Sequence, residues 1–253
     1  MISGAGLFAF VVLSFVAAYV QTLTGFAFGL LLMGAVALTG LIPFLDAAIV
    51  TSLLTLVNAM VVLARGWRDI AARPFLMSLS SALPMIVVGY ALLELLASTS
   101  LSVLRLTLGA VIIVSSLQLI QRPAPLARPS RGASFAFFGA LAGLMGGLFS
   151  TAGPPLVFQF YRQPLSHIVI RETLVAIFAV NSLFRLGLVA ASGDWQHDTL
   201  IWTFVGVPSV VVASYLARRW PPPLAQKTLR RLAFVLLLLS GLSLMAPALN
   251  FGA

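Results

Sequence analysis

Long apolar runs separated by short polar stretches dominate this chain. They cover about residues 5–41, 45–64, 75–97, 101–120, 134–161, 166–191, 198–217 and 227–247. Most are near 20 residues, the length at which an α-helix crosses roughly 30 Å of hydrocarbon. Two are too long for one straight helix: residues 5–41 would reach roughly 55 Å and residues 134–161 about 42 Å. Both contain helix-breaking sequence. The first holds Gln21-Thr22-Leu23-Thr24-Gly25-Phe26-Ala27-Phe28-Gly29, and the second holds Gly146-Gly147-Leu148-Phe149-Ser150-Thr151-Ala152-Gly153-Pro154-Pro155. Consecutive prolines remove amide donors and clash with the preceding turn, so a regular helix should not run through them. The pattern predicts a turn near Gly25 and another near Gly153-Pro154, each splitting its run into two half-helices arranged as a hairpin.

The runs also repeat. A shift of 123 to 126 positions lays Leu54-Thr55-Leu56-Val57-Asn58 over Ile177-Phe178-Ala179-Val180-Asn181 and Pro84-Met85-Ile86 over Pro208-Ser209-Val210. It also lays Leu104-Arg105-Leu106 over Leu229-Arg230-Arg231. Duplication in an apolar chain marks a transporter built from two repeats with its site where they meet. Residues 1–121 and 134–253 read as the repeats, and the Pro- and Arg-rich stretch 122–133 as a solvated linker.

Loop charges give the repeats an orientation. Arg65, Arg68 and Arg73 fill the 65–73 loop of the first half, whereas its counterpart at 192–198 carries Asp194 and Asp198 and no Lys or Arg. Conversely, the neutral Ser98-Thr99-Ser100 loop corresponds to a stretch with Arg218, Arg219, Lys227, Arg230 and Arg231. Basic loops stay in the cytoplasm. Placing all of them there requires an even number of crossings through 134–161, which a hairpin supplies and a single span does not. The predicted fold is all-α: two inverted repeats, each a broken helical hairpin plus three transmembrane helices, with both termini outside.

Composition agrees. Hydrophobic residues make up 60% of the chain, charged residues 8%, and mean hydropathy is +1.08. A soluble domain of this length carries roughly a quarter charged residues. The net charge of +9 is dispersed between apolar spans, with no basic stripe or interleaved aromatics, so it implies loop anchoring at the membrane surface and not nucleic-acid binding. There is no Cys, which removes disulfides, thiolate metal sites and cysteine nucleophiles. The N-terminal stretch lacks a positive n-region and reads as a first span, not as a secretory signal. The expected location is the plasma (inner) membrane, crossed many times, with lipid as the surroundings.

Polar residues inside the spans are candidate functional groups, because burying them in lipid is expensive. Asn58 and Asn181 obey the repeat offset; the plainer alternative is an interhelical hydrogen bond worth on the order of 0.6 kcal/mol. At the breaks, unpaired N–H groups and the positive end of a helix dipole suit an anion without a fully buried cation. Gln21, Thr24, Gly25, Ser150, Thr151, Gly153 and Pro154 are the candidates there, with hydroxyls as extra donors. Gly139, Gly143 and Gly147, four residues apart, read instead as a helix-packing stripe. Arg171 stands at the start of a span as an interfacial anchor or an anion ligand on the cytoplasmic approach. Arg185 reads as a snorkelling residue near the opposite face. Glu94 reads as interfacial, or as the carrier of a coupling proton. His167 and His197 read as surface residues. No metal-spaced cluster, P-loop or Gly-x-Ser-x-Gly nucleophile is present, so neither a metal nor a cofactor is expected and the chain is not read as an enzyme.

At these two breaks the chain resembles the sulfite exporter TauE/SafE family of membrane permeases. Gly143 through Pro155 is similar to that family's glycine-rich second-half motif, with Ser150 and Ala152 where glycine is commoner. Thr24-Gly25-Phe26 resembles its first-half counterpart, and Arg171-Glu172-Thr173 an Arg-x-Thr motif at the next span. The resemblance covers essentially the whole chain. It adds Phe26 and Thr173 to the candidates and implies transport of sulfite, sulfonates or related organosulfur or organic anions, driven by a coupling proton or sodium ion. A homodimer is compatible with it. Two functional classes stand at this point: a secondary permease working by alternating access, and a non-transporting scaffold or assembly subunit. The scaffold has no need of polar residues at two matched breaks, whereas the permease does.

Overall fold

A computed structural model describes residues 4–120, 126–193, 195, 197–221, 235, 238, 239, 241, 242 and 245. They form helices α1 (Gly4–Thr24), α2 (Phe28–Thr39), α3 (Phe44–Gly66), α4 (Ala72–Thr99), α5 (Leu101–Ile120), α6 (Gly132–Phe149), α7 (Gly153–Tyr161), α8 (His167–Ser192) and α9 (His197–Arg219), with one 3-10 turn at Trp67–Asp69. Six are long and apolar enough to cross a membrane. The chain is an all-α, multi-pass membrane protein. The expected last span, 227–247, and part of the 122–133 linker lie largely outside the described residues.

Both over-long runs are split, but not into equal halves. α1 has 21 residues and α2 has 12; α6 has 18 and α7 has 9. At 1.5 Å per residue these are about 31, 18, 27 and 14 Å. Each pair is therefore a near-complete span followed by a short return. The first break, at 25–27, uses left-handed backbone at Gly25 (φ 83°) and Ala27 (φ 88°). The second, at 150–152, turns on Ser150 (φ 53°). A non-glycine residue in this region costs roughly 1–2 kcal/mol, so Ala27 and Ser150 are held there by their surroundings. The expected turn at Gly153-Pro154 falls a few residues earlier. Both prolines sit in the first turn of α7, where a missing N–H costs nothing. Pro84 and Pro208, matched by the repeat shift, both lie inside their helices, α4 and α9.

Packing follows the duplication. α6 lies on α4, and their counterparts α1 and α9 lie on each other; α3 packs on α8, α3 on α9 and α8 on α4. Exchanging the halves maps this set onto itself. Gly139, Gly143 and Gly147 face the α4 backbone, where an added Cβ would collide with the carbonyls of Ser78, Ala82 and Ile86 respectively. These three glycines permit helix contact, as the four-residue stripe suggests.

α3 and α8 run antiparallel. Gly66, at the end of α3, abuts Glu172 at the start of α8, whereas Ile49 near the start of α3 packs with Leu186 and Val189 near the end of α8. Charge segregates accordingly. Arg65, Arg218 and Arg219 line one surface hollow, Arg73 and Arg131 another, and the Ala71 N–H donates to Thr173 Oγ1 at 2.9 Å, joining these loops at one end. The opposite end holds Asp46 and Glu94 beside Val189.

Candidate functional site

The two breaks meet at the centre of the bundle. Gly29, in the first turn of α2, faces Ser150 and Thr151; a Cβ there would lie 2.8 Å from the Ser150 carbonyl oxygen and 2.9 Å from Thr151 Cβ. Between them is a small cavity of about 20 Å³, room for little more than one water-sized species. Gln21, Ala27 and Gly29 line it from the first break, and Gly146 with Ser150 through Gly153 from the second. Ser52 and Thr55 of α3 and Phe178, Asn181, Ser182 and Arg185 of α8 complete the wall. The N-terminal ends of α2 and α7, with their positive dipole ends, both start here.

Of the residues expected at a site, five line this cavity: Gln21, Ser150, Thr151, Gly153 and Asn181. Seven do not: Thr24, Gly25, Phe26, Asn58, Pro154, Arg171 and Thr173. Thr24 Oγ1 is held by the carbonyls of Val20 (2.8 Å) and Phe26 (2.9 Å), closing the turn that Gly25 opens. Gly25 backs onto Arg171, whose Cα would lie 3.0 Å from an added Cβ. Phe26 stacks edge-on against Tyr161, and Pro154 is buried in α7. Thr173 Oγ1 bonds the Val169 carbonyl as well as the Ala71 N–H, fixing the start of α4 against α8. Arg171 pairs with buried Glu172 at 2.6 Å, and Arg218 approaches the same carboxylate at 4.0 Å. These charges seal the basic end; they do not face the cavity.

The matched asparagines differ sharply. Asn58 is fully buried and saturated: Oδ1 accepts from Gln21 Nε2 (2.8 Å), and Nδ2 donates to Thr22 Oγ1 and Ser214 Oγ (both 2.8 Å). It ties α1, α3 and α9 together. It also orients Gln21, whose Oε1 accepts from the Phe28 N–H (3.1 Å) at the start of α2. Asn181 is 5% exposed, and neither its Nδ2 nor its Oδ1 has a partner. Ser150 is less free than expected. Its Oγ lies 2.6 Å from the Ala48 carbonyl and 3.1 Å from Ser52 Oγ, so its proton goes to the backbone of α3.

Arg185 corrects the expected picture most. It is 2% exposed and does not snorkel. Its Nε donates to the Gly147 carbonyl at 3.3 Å, its Cζ stands 5.6 Å from the Tyr90 ring centroid, and its Nη1 has no partner. A bare buried cation is therefore part of the cavity wall. Arg185 is four residues after Asn181 on a helix, a spacing that puts both on one face and that could have singled it out. Ser182 follows from the same face. Thr55 and Phe178, related by the shift that pairs the asparagines, both line the wall.

The arrangement brings a guanidinium with no carboxylate partner, an unpaired carboxamide and two helix starts to one cavity.

Residues 10–244 match the family described as sulfite exporter TauE/SafE. The chain is 40% identical, over 92% of its length and 91% of the relative's, to a "Probable sulfite/organosulfonate exporter TauE" from Cupriavidus necator. It is 33% identical to a "Probable inner membrane transporter protein TsaS" from Comamonas testosteroni, over 41% of this chain and 44% of that one. No solved structure matches. The resemblance at the two breaks thus extends through nearly the whole sequence, and the chain belongs to the sulfite exporter TauE/SafE family of membrane transporters.

Proposed function

We propose that this protein is a secondary transporter of the inner membrane that moves sulfite, sulfonates or related organosulfur anions by alternating access. The observation that carries the reading is the pairing of Asn181 and Arg185, both buried, both with unpartnered nitrogens, in the cavity where the two breaks touch. A buried unpaired guanidinium is costly, and an oxyanion relieves that cost through charge-assisted hydrogen bonds. A sulfonate or sulfite offers three oxygens to Arg185, Asn181 and the N–H groups of Gly29 and Gly153, which line the cavity at the starts of α2 and α7. The substrate class rests on the relatives' names and on this chemistry together.

The cavity, of about 20 Å³, must widen to admit such an anion. The ion cluster Arg171–Glu172–Arg218 closes the basic end, which faces the cytoplasm by its charge. We further propose that residues 1–121 and 134–253 are inverted repeats joined by the 122–133 linker. Support comes from repeat-related α3 and α8 running antiparallel and from Arg65 and Arg218 sharing one end. The chain carries no P-loop, and a proton or sodium gradient is the driving force we propose. Radiolabelled sulfite flux into proteoliposomes tests the function. Saturable flux that taurine-like sulfonates inhibit is expected; flux no greater than in empty vesicles for every sulfur anion would overturn the substrate assignment.

A further inference from the structure

Arg185 lines two spaces. One is the central cavity; the other is a vestibule of about 390 Å³ at the acidic end, whose wall also includes Asp46, Tyr90 and Glu94. Tyr90 and Glu94 are four residues apart on α4 and so share a helix face. The guanidinium lies over the Tyr90 ring, between the two spaces. Among the described residues the ion pairs are Arg171–Glu172 and Arg218–Glu172, and no carboxylate is within 4.0 Å of Arg185. Its one side-chain hydrogen bond, to the Gly147 carbonyl, is long at 3.3 Å. Arg185 thus has no carboxylate partner of its own and borders both the cavity and the vestibule that holds Asp46 and Glu94.

Charge balance turns this geometry into a mechanism. With a transported anion in the cavity, Arg185 has its counter-charge. Without one, a buried guanidinium crossing between states has none, and burial of an unpaired cation is strongly unfavourable. We propose that Asp46 and Glu94 serve as surrogate counter-ions for Arg185 in the substrate-free carrier, receiving its guanidinium through the vestibule so that the empty protein can reset. The inference rests on the anion-site reading above and assigns these two carboxylates a role that site alone does not require. It separates two transport modes. Net flux needs the empty carrier to return on every cycle, so it needs the surrogates. Anion-for-anion exchange keeps Arg185 paired with substrate and bypasses them.

The test uses full-length protein in proteoliposomes with radiolabelled sulfite, comparing net flux with sulfite–sulfite exchange. The double variant Asp46→Asn/Glu94→Gln is expected to lose at least ten-fold in net flux while exchange stays within about two-fold. Glu94→Gln alone, at an exposed position that folding tolerates, should show the same split to a smaller degree. Net flux at the native rate, or equal losses in both modes, would overturn the surrogate role while leaving the anion site standing. Arg185→Gln tests the underlying reading separately: it should lose sulfite binding and both modes, and native-like binding would overturn the anion site itself.

Discussion

Helices α3 and α8 occupy matching places in the two halves, pack against each other, and use their matching positions differently. Asn58 of α3 is saturated by Gln21, Thr22 and Ser214, whereas Asn181 of α8 is unpaired. Four residues further along, the same shift sets Val62 against Arg185. Val62 is an ordinary buried aliphatic whose carbonyl takes a bond from Arg218. Arg185 is a buried cation in the cavity wall. Two positions related by the sequence shift thus carry different groups in different surroundings: one asparagine holds helices together, and its counterpart has both polar atoms unpartnered.

The largest effect on this contrast is expected from Arg185→Gln. Removing a charge-assisted partner should weaken sulfite binding about 100-fold, or about 2.7 kcal/mol, with transport abolished. Calorimetric titration of the purified protein checks it. The asparagines come next and should split. Asn181→Leu removes no internal hydrogen bond, so transport should fall at least ten-fold with thermal stability unchanged. Asn58→Leu leaves the Gln21 Nε2 donor without a partner and removes the links to Thr22 and Ser214, and should cost about 1–3 kcal/mol of stability while leaving measurable transport. Paired melting curves and flux assays decide this; equal phenotypes for the two variants would erase the comparison.

A smaller loss is expected from Gly29→Ala, which forces a methyl against the Ser150 carbonyl and Thr151. Overpacking there should cost roughly 1–3 kcal/mol and slow transport by prying the breaks apart. A melting curve showing no change would mean that the breaks are not in contact. The mildest perturbation is Arg68→Cys and Arg219→Cys, made singly in this cysteine-free chain. Both should label from the same side of the membrane with flux near normal; opposite sidedness would break the inverted relation between α3 and α8.

Much of the frame was legible in the sequence because it depends on run length and local chemistry. Apolar runs longer than a bilayer predicted the two interruptions, and the glycine stripe at 139, 143 and 147 predicted a helix contact. The first break falls at Gly25 as expected, but the second was misplaced by a few residues because proline was read as ending a helix, whereas Pro154 and Pro155 begin one. The site was only partly legible. Sequence marks Asn58 and Asn181 as equivalents, but whether a carboxamide is satisfied depends on which neighbours fold against it. Gln21, Thr22 and Ser214 come from helices remote in the chain. Arg185 was missed for a related reason. A cation deep in a span has two outcomes, snorkelling or burial, and the choice is made by Gly147 and Tyr90 on other helices.

The central claim, that the unpaired copy and not the saturated one holds the anion, is tested most directly by a structure of the protein with sulfite bound. The account places the sulfite oxygens within about 3 Å of Asn181 Nδ2 and the Arg185 guanidinium, between the starts of α2 and α7, with the Asn58 network intact. An anion coordinated by Asn58, or held at Arg171 outside the cavity, would contradict it.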